Sequence, residues 1–162
     1  MNGTPASRPD RAPGADLVPR WRGRLHAAAT VAWIPAGAML VGRAASTRDR
    51  LALGVYVLSI GSMFAVSAAF HLGRWSSVRR ATLGRLDHSM IFVAIAGTYT
   101  PFSVIAMPQP LGAAVLVTVW LGAIGGIALR LVWKDGRPRP GRVILAGPYV
   151  ALGWVGVVAF PQ

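Results

Sequence analysis

Five long apolar runs, separated by short polar stretches, dominate the chain. We predict membrane-spanning helices over residues 25–42, 51–72, 88–107, 111–133 and 143–160. Runs of this length match a bilayer, because a helix rises about 1.5 Å per residue and the hydrocarbon core is about 30 Å thick. The pattern therefore predicts an all-α protein, a polytopic transmembrane helix bundle with five spans.

The first 20 residues differ from the rest of the chain. They contain several Pro, Arg and small residues without apolar periodicity, which is typical of a disordered basic tail. A secretory signal peptide is an alternative interpretation of residues 1–45, since "GRAAS" offers small residues after an apolar run. That run is longer than the apolar part of a usual signal peptide. We therefore favour a tail over residues 1–20 and a transmembrane domain over residues 21–162.

The composition agrees with a membrane protein. Hydrophobic residues make up 54% of the chain and charged residues only 14%, which is too apolar for an ordinary soluble domain of this size. The 17 Lys and Arg against 5 acidic residues give a net charge of +12. These cations form short clusters between apolar runs, a pattern that favours membrane lipids and not nucleic acid as the partner. The absence of Cys excludes a thiolate metal site.

The basic residues also predict an orientation. Fourteen of the 17 Lys and Arg lie before the first run, between the second and third, or around the polar stretch after the fourth. The other side of the membrane receives only Arg43, Arg48 and Arg50. Because cytoplasmic loops carry an excess of Lys and Arg, we predict a multi-pass protein of the plasma membrane with a cytoplasmic N-terminus.

Candidate chemistry is concentrated where the second run ends and the third begins. Ser67 and His71 are four positions apart, so on a helix they share one face. The two runs are antiparallel if residues 73–86 form a loop that turns the chain around, and Asp87 then lies near His71 at the cytoplasmic side. Polar groups at membrane depth usually pair with one another or line a functional cavity. These residues favour a metal or proton-handling site.

Ordinary structural roles remain open for the same residues. Asp87 precedes an apolar helical run and is a candidate N-cap. His71 near a helix C-terminus is favoured by the helix dipole, and the Ser67 hydroxyl can bond to a carbonyl of its own helix. His26 and His88 are more typical of interfacial polar residues than of metal ligands.

Small residues and one proline predict helix contacts. The pairs Gly122 with Gly126 and Ala65 with Ala69 offer surfaces on which helices can approach closely in lipid. Residues 98–101, "TYTP", predict a kink whose freed carbonyls are bonded by nearby hydroxyls.

The segments "SAAFH" and "RLDHSMIFVAIAGTYTPF" resemble the paired signature of the hemolysin III branch of the progestin and adipoQ receptor family. Supporting similarity continues in "RWRGRLHAAA", "RLVW" and "YVALGWVGVVAFPQ", so that the resemblance covers about residues 20–162. It implies an integral membrane protein of a fold that usually has seven helices.

The resemblance implies a zinc site near the cytoplasmic face. His71 would be a zinc ligand, while Ser67 and Asp87 would orient a zinc-bound water. The superfamily includes ceramidases and suspected metal-dependent lipid hydrolases, which implies zinc-dependent amide or ester hydrolase ancestry and a possible lipid substrate. This chemistry is coherent, since zinc with three protein ligands keeps a position for water and lowers its pKa to about 7.

The chain departs from the family pattern at its end. The two other zinc ligands belong to a His-x-x-x-His motif in the family's last helix, whereas this sequence stops at Gln162, about two helices earlier. We favour a truncated gene product or a part of a longer protein over a natural five-helix form that needs a partner. The expected zinc site is incomplete, and hydrolytic activity is not expected of this chain alone.

A non-enzymatic pore-forming or membrane-perturbing (cytolytic) protein is the alternative function. A pore needs a polar stripe through the whole bilayer, whereas a hydrolase needs a local polar site. The sequence places its polar residues at one depth, with the outer halves of the runs almost wholly apolar, which favours a local site.

Overall fold

The computed structural model describes residues 20–132 and five further positions, 147, 150, 151, 153 and 154. The predicted tail and most of the predicted fifth span lie outside the described residues, although the five isolated positions are helical. All regular structure in the described residues is helical, in agreement with the predicted all-α class.

Four long helices follow one another along the described chain. They are α1 (Arg20–Gly42), α2 (Thr47–Leu72), α3 (Ser77–Pro101) and α4 (Leu111–Val132), with α3 continued by one π-helix (Phe102–Ala106). Each is long and apolar enough to cross a membrane, as the first four predicted spans require. The protein is therefore a membrane-embedded bundle with several spanning helices.

The start of α3 corrects the prediction that residues 73–86 form a loop. Only residues 73–76 connect the helices, and α3 begins at Ser77 because the Ser76 hydroxyl caps it by accepting from the backbone N–H of Arg79 at 3.5 Å. The prediction that Asp87 is an N-cap is consequently wrong, since Asp87 lies well inside α3. The segment before Asp87 contains arginines but no proline. Arginines keep a helix out of the hydrocarbon core, but they do not prevent it from forming, so the helix can begin ahead of the apolar run.

This early start makes the third span the longest. Together α3 and the π-helix cover 30 residues, or about 45 Å at 1.5 Å per residue. The hydrocarbon core is only about 30 Å thick. The first turns of α3 carry Arg79, Arg80 and Arg85, so we expect this end of the helix to extend into the headgroup region.

Neighbouring helices in sequence are neighbours in space. α2 packs against α1 and α3, and α3 packs against α4, whereas α1 contacts neither α3 nor α4 within the described part. Glycines make the close approaches: a methyl group at Gly37 would overlap the Val57 side chain, and one at Gly97 would overlap Ser59. Small residues at contacts are the general means by which helices associate in lipid.

The buried core lies between α3 and α4. Its members are Phe92, Ala96, Met107, Val115, Val119 and Ala123. The indole N–H of Trp120 donates to the hydroxyl of Thr100 at 3.2 Å and ties the two helices together in this apolar layer.

The predicted irregularity at residues 98–101 is present in the form of the π-helix. Pro101 has no N–H to donate, and the chain continues from there with the wider helical turn. The hydroxyls of Thr98 and Thr100 donate to the carbonyls of Ala94 and Ala96 at 2.8 and 2.9 Å. Hydroxyl bonds to carbonyls therefore accompany the irregularity, but neither goes to the Gly97 carbonyl that Pro101 leaves without its N–H donor.

Candidate functional site

The predicted site residues lie at one end of the bundle, which we call the His71 end. It is the end at which α1 and α3 begin and at which α2 ends. Ser67 and His71 lie on the last turns of α2, and Asp87 lies on α3. The antiparallel arrangement of α2 and α3 thus brings the three residues to the same region, although the loop on which the prediction relied is shorter than expected.

His71 lies where α1 and α2 approach most closely at this end. A Cβ at Gly23 would lie 2.8 Å from the Cβ of His71, so only glycine allows α1 to pack here. The Phe70 ring contacts the imidazole at a centroid distance of 5.0 Å. Within the described residues, the Nδ1 atom of His71 is buried and has no hydrogen-bond partner. A buried polar atom without a partner is costly, so this nitrogen is a candidate position for a ligand or a proton.

Asp87 acts on His71 through space. Its carboxylate lies close enough to interact electrostatically with the imidazole, and 17% of its side chain is exposed. Its direct contact is with the neighbouring His88, whose Nδ1 lies 3.9 Å away. The same Nδ1 lies 2.7 Å from the carbonyl of Gly84. Because a carbonyl can only accept, Nδ1 of His88 carries the proton and donates there.

Ser67 completes the predicted set. It is 3% exposed and lies one helical turn before His71 on the same face of α2. The face is therefore turned toward the neighbouring helices and not toward lipid. Ser89 of α3 is also buried. Its hydroxyl donates to the carbonyl of Arg85 at 2.9 Å, so its hydrogen bond is made within its own helix.

Three further side chains surround His71, and the sequence pattern did not assign them to the site. Arg22 and His26 of α1 and Arg80 of α3 all interact electrostatically with the imidazole. The His26 ring packs on Phe64 at 5.6 Å, and its Nδ1 is buried without a hydrogen-bond partner in the described part of the chain. The structure therefore gathers charged or polar groups from three helices around one imidazole.

The donor set of this region does not form a complete zinc site. Among the described residues, no group of three or more His, Cys, Asp or Glu side chains is arranged to hold a metal ion. His71 offers one orphaned imidazole nitrogen, with Asp87 nearby. A three-ligand zinc site needs two more donors, because groups that only orient a ligand or water cannot replace it.

A separate apolar cleft lies toward the opposite end of α2 and α3. It has a volume of about 350 Å³ and is lined by side chains that include Leu53, Tyr56 and Phe102. Its lining lacks the imidazole and carboxylate groups found at the His71 end. The chemistry of the described residues is thus concentrated at the His71 end.

Comparison with known proteins decides the family. A family described as haemolysin-III related matches residues 18–162. The chain belongs to this haemolysin-III related family. The resemblance to hemolysin III that "SAAFH" and "RLDHSMIFVAIAGTYTPF" carry is thereby confirmed.

Two relatives illustrate how much of the haemolysin-III sequence is present. "Hemolysin-3" of Bacillus cereus is 35% identical over 111 residues, which is 67% of this chain and 48% of that protein. The "Hemolysin-3 homolog" of Bacillus subtilis (strain 168) is 40% identical over 76 residues, or 46% of this chain and 33% of that protein. The matched part of the chain thus spans about half the length of the first relative and a third of the second.

Proposed function

We propose that Ser67, His71 and Asp87 form the functional site of a haemolysin-III protein related to the zinc-dependent membrane hydrolases and receptors of the progestin and adipoQ type. The observation that carries this proposal is the buried, unpartnered Nδ1 of His71 beside the Asp87 carboxylate. In this proposal His71 is a zinc ligand, and Ser67 and Asp87 are positioning residues.

We further propose that these 162 residues carry only part of the zinc site. The family resemblance assigns two more ligands to a His-x-x-x-His motif in the family's last helix, and the 162-residue sequence contains no such motif. His26 is the nearest additional imidazole, but the described donors are not arranged around a metal position. Amide or ester hydrolysis is therefore not expected of the chain by itself.

The distribution of arginines supports a cytoplasmic position for this site. Seven described arginine side chains lie at the His71 end, namely Arg22, Arg24, Arg74, Arg79, Arg80, Arg85 and Arg130, against Arg43, Arg48 and Arg50 at the opposite end. Since positive charge accumulates on the cytoplasmic side, we assign the His71 end to the cytoplasm and the protein to the plasma membrane.

The pore remains the alternative function, and the described hydroxyls support it less than the local site. Thr100 and Ser89 are buried, yet both donate to carbonyls of their own helix. Such hydroxyls are compatible with apolar surroundings and do not form a hydrophilic path.

Zinc binding by the purified 162-residue chain tests the proposed site. We expect well below one zinc per chain by elemental analysis when the protein is dialysed against zinc alone. Free imidazole can supply missing ligands, so zinc retention should rise when imidazole is added to the wild type. His71→Ala should abolish this rise. Asp87→Asn should reduce the affinity about tenfold, the usual effect of losing a group that orients a ligand.

His88→Ala is the matched control, because His88 is half exposed and its Nδ1 proton is directed at the Gly84 carbonyl. Stoichiometric zinc without imidazole, lost in His71→Ala and retained in the control, would refute the claim that the site is incomplete. An imidazole-dependent rise that His71→Ala leaves unchanged would remove His71 from the site. Dye release from vesicles by the wild type and His71→Ala alike would favour the pore.

A further inference from the structure

Two arginines from different helices border His71. Arg22 precedes Gly23, where α1 and α2 are so close that a Cβ on the glycine would lie 2.8 Å from the Cβ of His71. Arg80 of α3 lies over the Phe70 ring, with its guanidinium carbon 6.0 Å from the ring centroid. Because Phe70 itself contacts the His71 ring, Arg80 borders the site from α3, and Arg22 acts on the imidazole from α1, the other helix that packs against α2.

Helix packing fixes Arg80 in this position. A Cβ at Gly84, one turn after Arg80, would lie 3.3 Å from the Phe70 ring, so the face of α3 that carries Arg80, Gly84 and Asp87 is turned toward α2. Arg80 is half-buried, whereas Arg22 is exposed. A guanidinium that stacks on an aromatic ring is held in a defined plane and loses little further freedom when it binds an anion.

The charges around His71 do not balance. Asp87 is the acidic group that acts on His71, whereas Arg22 and Arg80 both act on it with positive charge. Among the described arginine side chains, none has a carboxylate within 4.0 Å. The N-terminal ends of α1 and α3 lie at the same end of the bundle as the C-terminal ends of α2 and α4, so the helix dipoles oppose one another and the excess positive charge comes from the arginines. The region is therefore complementary to an anion at the level of the lipid headgroups.

We propose that Arg22 and Arg80 together bind the phosphate of an anionic glycerophospholipid. Guanidinium groups match phosphate oxygens with paired hydrogen bonds, and the first turns of α3 extend into the layer where headgroup phosphates lie. A lipid held there has its acyl linkages below the phosphate, toward Ser67 and His71. The assignment of this lipid as the substrate class of the Ser67, His71 and Asp87 site rests on the function proposed above. The binding of the lipid by the two arginines does not.

Lipid binding to the full 162-residue chain tests this proposal. Native mass spectrometry of the detergent-solubilised protein, with a chelator present, measures the affinity for phosphatidylglycerol and for phosphatidylcholine. We expect phosphatidylglycerol to bind more tightly to the wild type. The double variant Arg22→Gln/Arg80→Gln should lose about thirtyfold in this affinity, or about fivefold per arginine near a membrane surface. Arg80→Lys should lose less affinity than Arg80→Gln, since it keeps the charge but not the paired hydrogen bonds of the guanidinium.

The control variant Arg43→Gln/Arg48→Gln removes the same charge from the opposite end of the bundle. An equal loss of affinity in this control, or no loss in Arg22→Gln/Arg80→Gln, would overturn the proposal. Inorganic phosphate that binds as tightly as phosphatidylglycerol at the same concentration would overturn the assignment to a lipid. Helicity by circular dichroism identifies a misfolded double variant, in which case the single variant Arg22→Gln, at an exposed position, carries the test with an expected fivefold loss. Because the chelator removes zinc, failure here is separate from failure of the zinc site.

Discussion

α2 and α3 approach so closely at Gly97 and Ser59 that one added methyl group should push the two helices apart. A methyl group at Gly97 would overlap both Cβ and Oγ of Ser59, and overpacking of this kind costs about 1–3 kcal/mol. Replacing glycine by alanine within a helix also stabilises the helix by about 1 kcal/mol. The net effect of Gly97→Ala should therefore be a loss of about 1 kcal/mol in the free energy of unfolding.

Gly54 provides the matched control, since a methyl group there would meet nothing within 4 Å. Gly54→Ala should stabilise the protein by about 1 kcal/mol, so that the two alanine variants differ by about 2 kcal/mol, the cost of the overlap. Ser59→Gly removes both overlapping atoms of the partner. In the double variant Gly97→Ala/Ser59→Gly we expect a coupling energy of about 2 kcal/mol that offsets the overlap.

Equilibrium unfolding in mixed micelles of mild detergent and dodecyl sulfate, followed by far-ultraviolet circular dichroism, measures these differences. A Gly97→Ala variant that is as stable as the Gly54→Ala variant would refute the close approach of α2 and α3 at Gly97. A double variant whose stability is simply the sum of the two single changes would refute Ser59 as the overlapping partner.

Two further predictions concern a buried hydrogen bond and the orientation of the helices. Thr100→Val removes the acceptor of the Trp120 indole and should cost roughly 1 kcal/mol in the same unfolding assay. Thr98→Val should cost less, because the Thr98 hydroxyl bonds only within its own helix. Equal costs would contradict the interhelical role of Thr100. The chain has no Cys, so Ser46→Cys and Ser76→Cys introduce single thiols at opposite ends of the bundle. An impermeant maleimide should label Ser46→Cys in intact cells and Ser76→Cys only after permeabilisation, and the reverse pattern would contradict a cytoplasmic His71 end.

The apolar runs predict the first four spans well and their polar extensions poorly. The predicted ends at Gly42 and Leu72 and the predicted start at Leu111 agree with the structure. The prediction places the start of the third span at His88, whereas α3 begins at Ser77. Hydropathy reports which residues lipid can surround, and helical turns in the headgroup layer carry no such signal.

The small-residue pairs show a related limit. Gly126 packs against the Phe92 ring as predicted, but Gly122 is exposed, as are Ala65 and Ala69. Spacing identifies a surface on which a helix can pack closely. It does not identify which of several such surfaces meets a neighbour within the described bundle.

The sequence shows the four-residue spacing of Ser67 and His71 and places Asp87 near the start of the next apolar run. It does not show the rest of the candidate site. Arg22 and Arg80 join it because glycines turn particular faces of α1 and α3 toward α2. The expectation of polar residues at one depth is wrong, since Thr100 near the end of α3 and Ser103 in the π-helix are buried several turns away from Asp87. Hydroxyls can be buried at any depth when they bond to their own helix, as Thr100 does.

Among α1 to α4, each helix packs only against its neighbours in sequence, and this order bears on how the protein is made. A chain leaves the ribosome from its N-terminus, and the described side chains that act on His71 all belong to α1, α2 and α3. Each helix that enters the bilayer therefore finds its docking surface already inserted, with no need to wait for a distant segment. We therefore expect the side chains around His71 to come together during synthesis before α4 is complete, in ribosome-bound intermediates that end after α3.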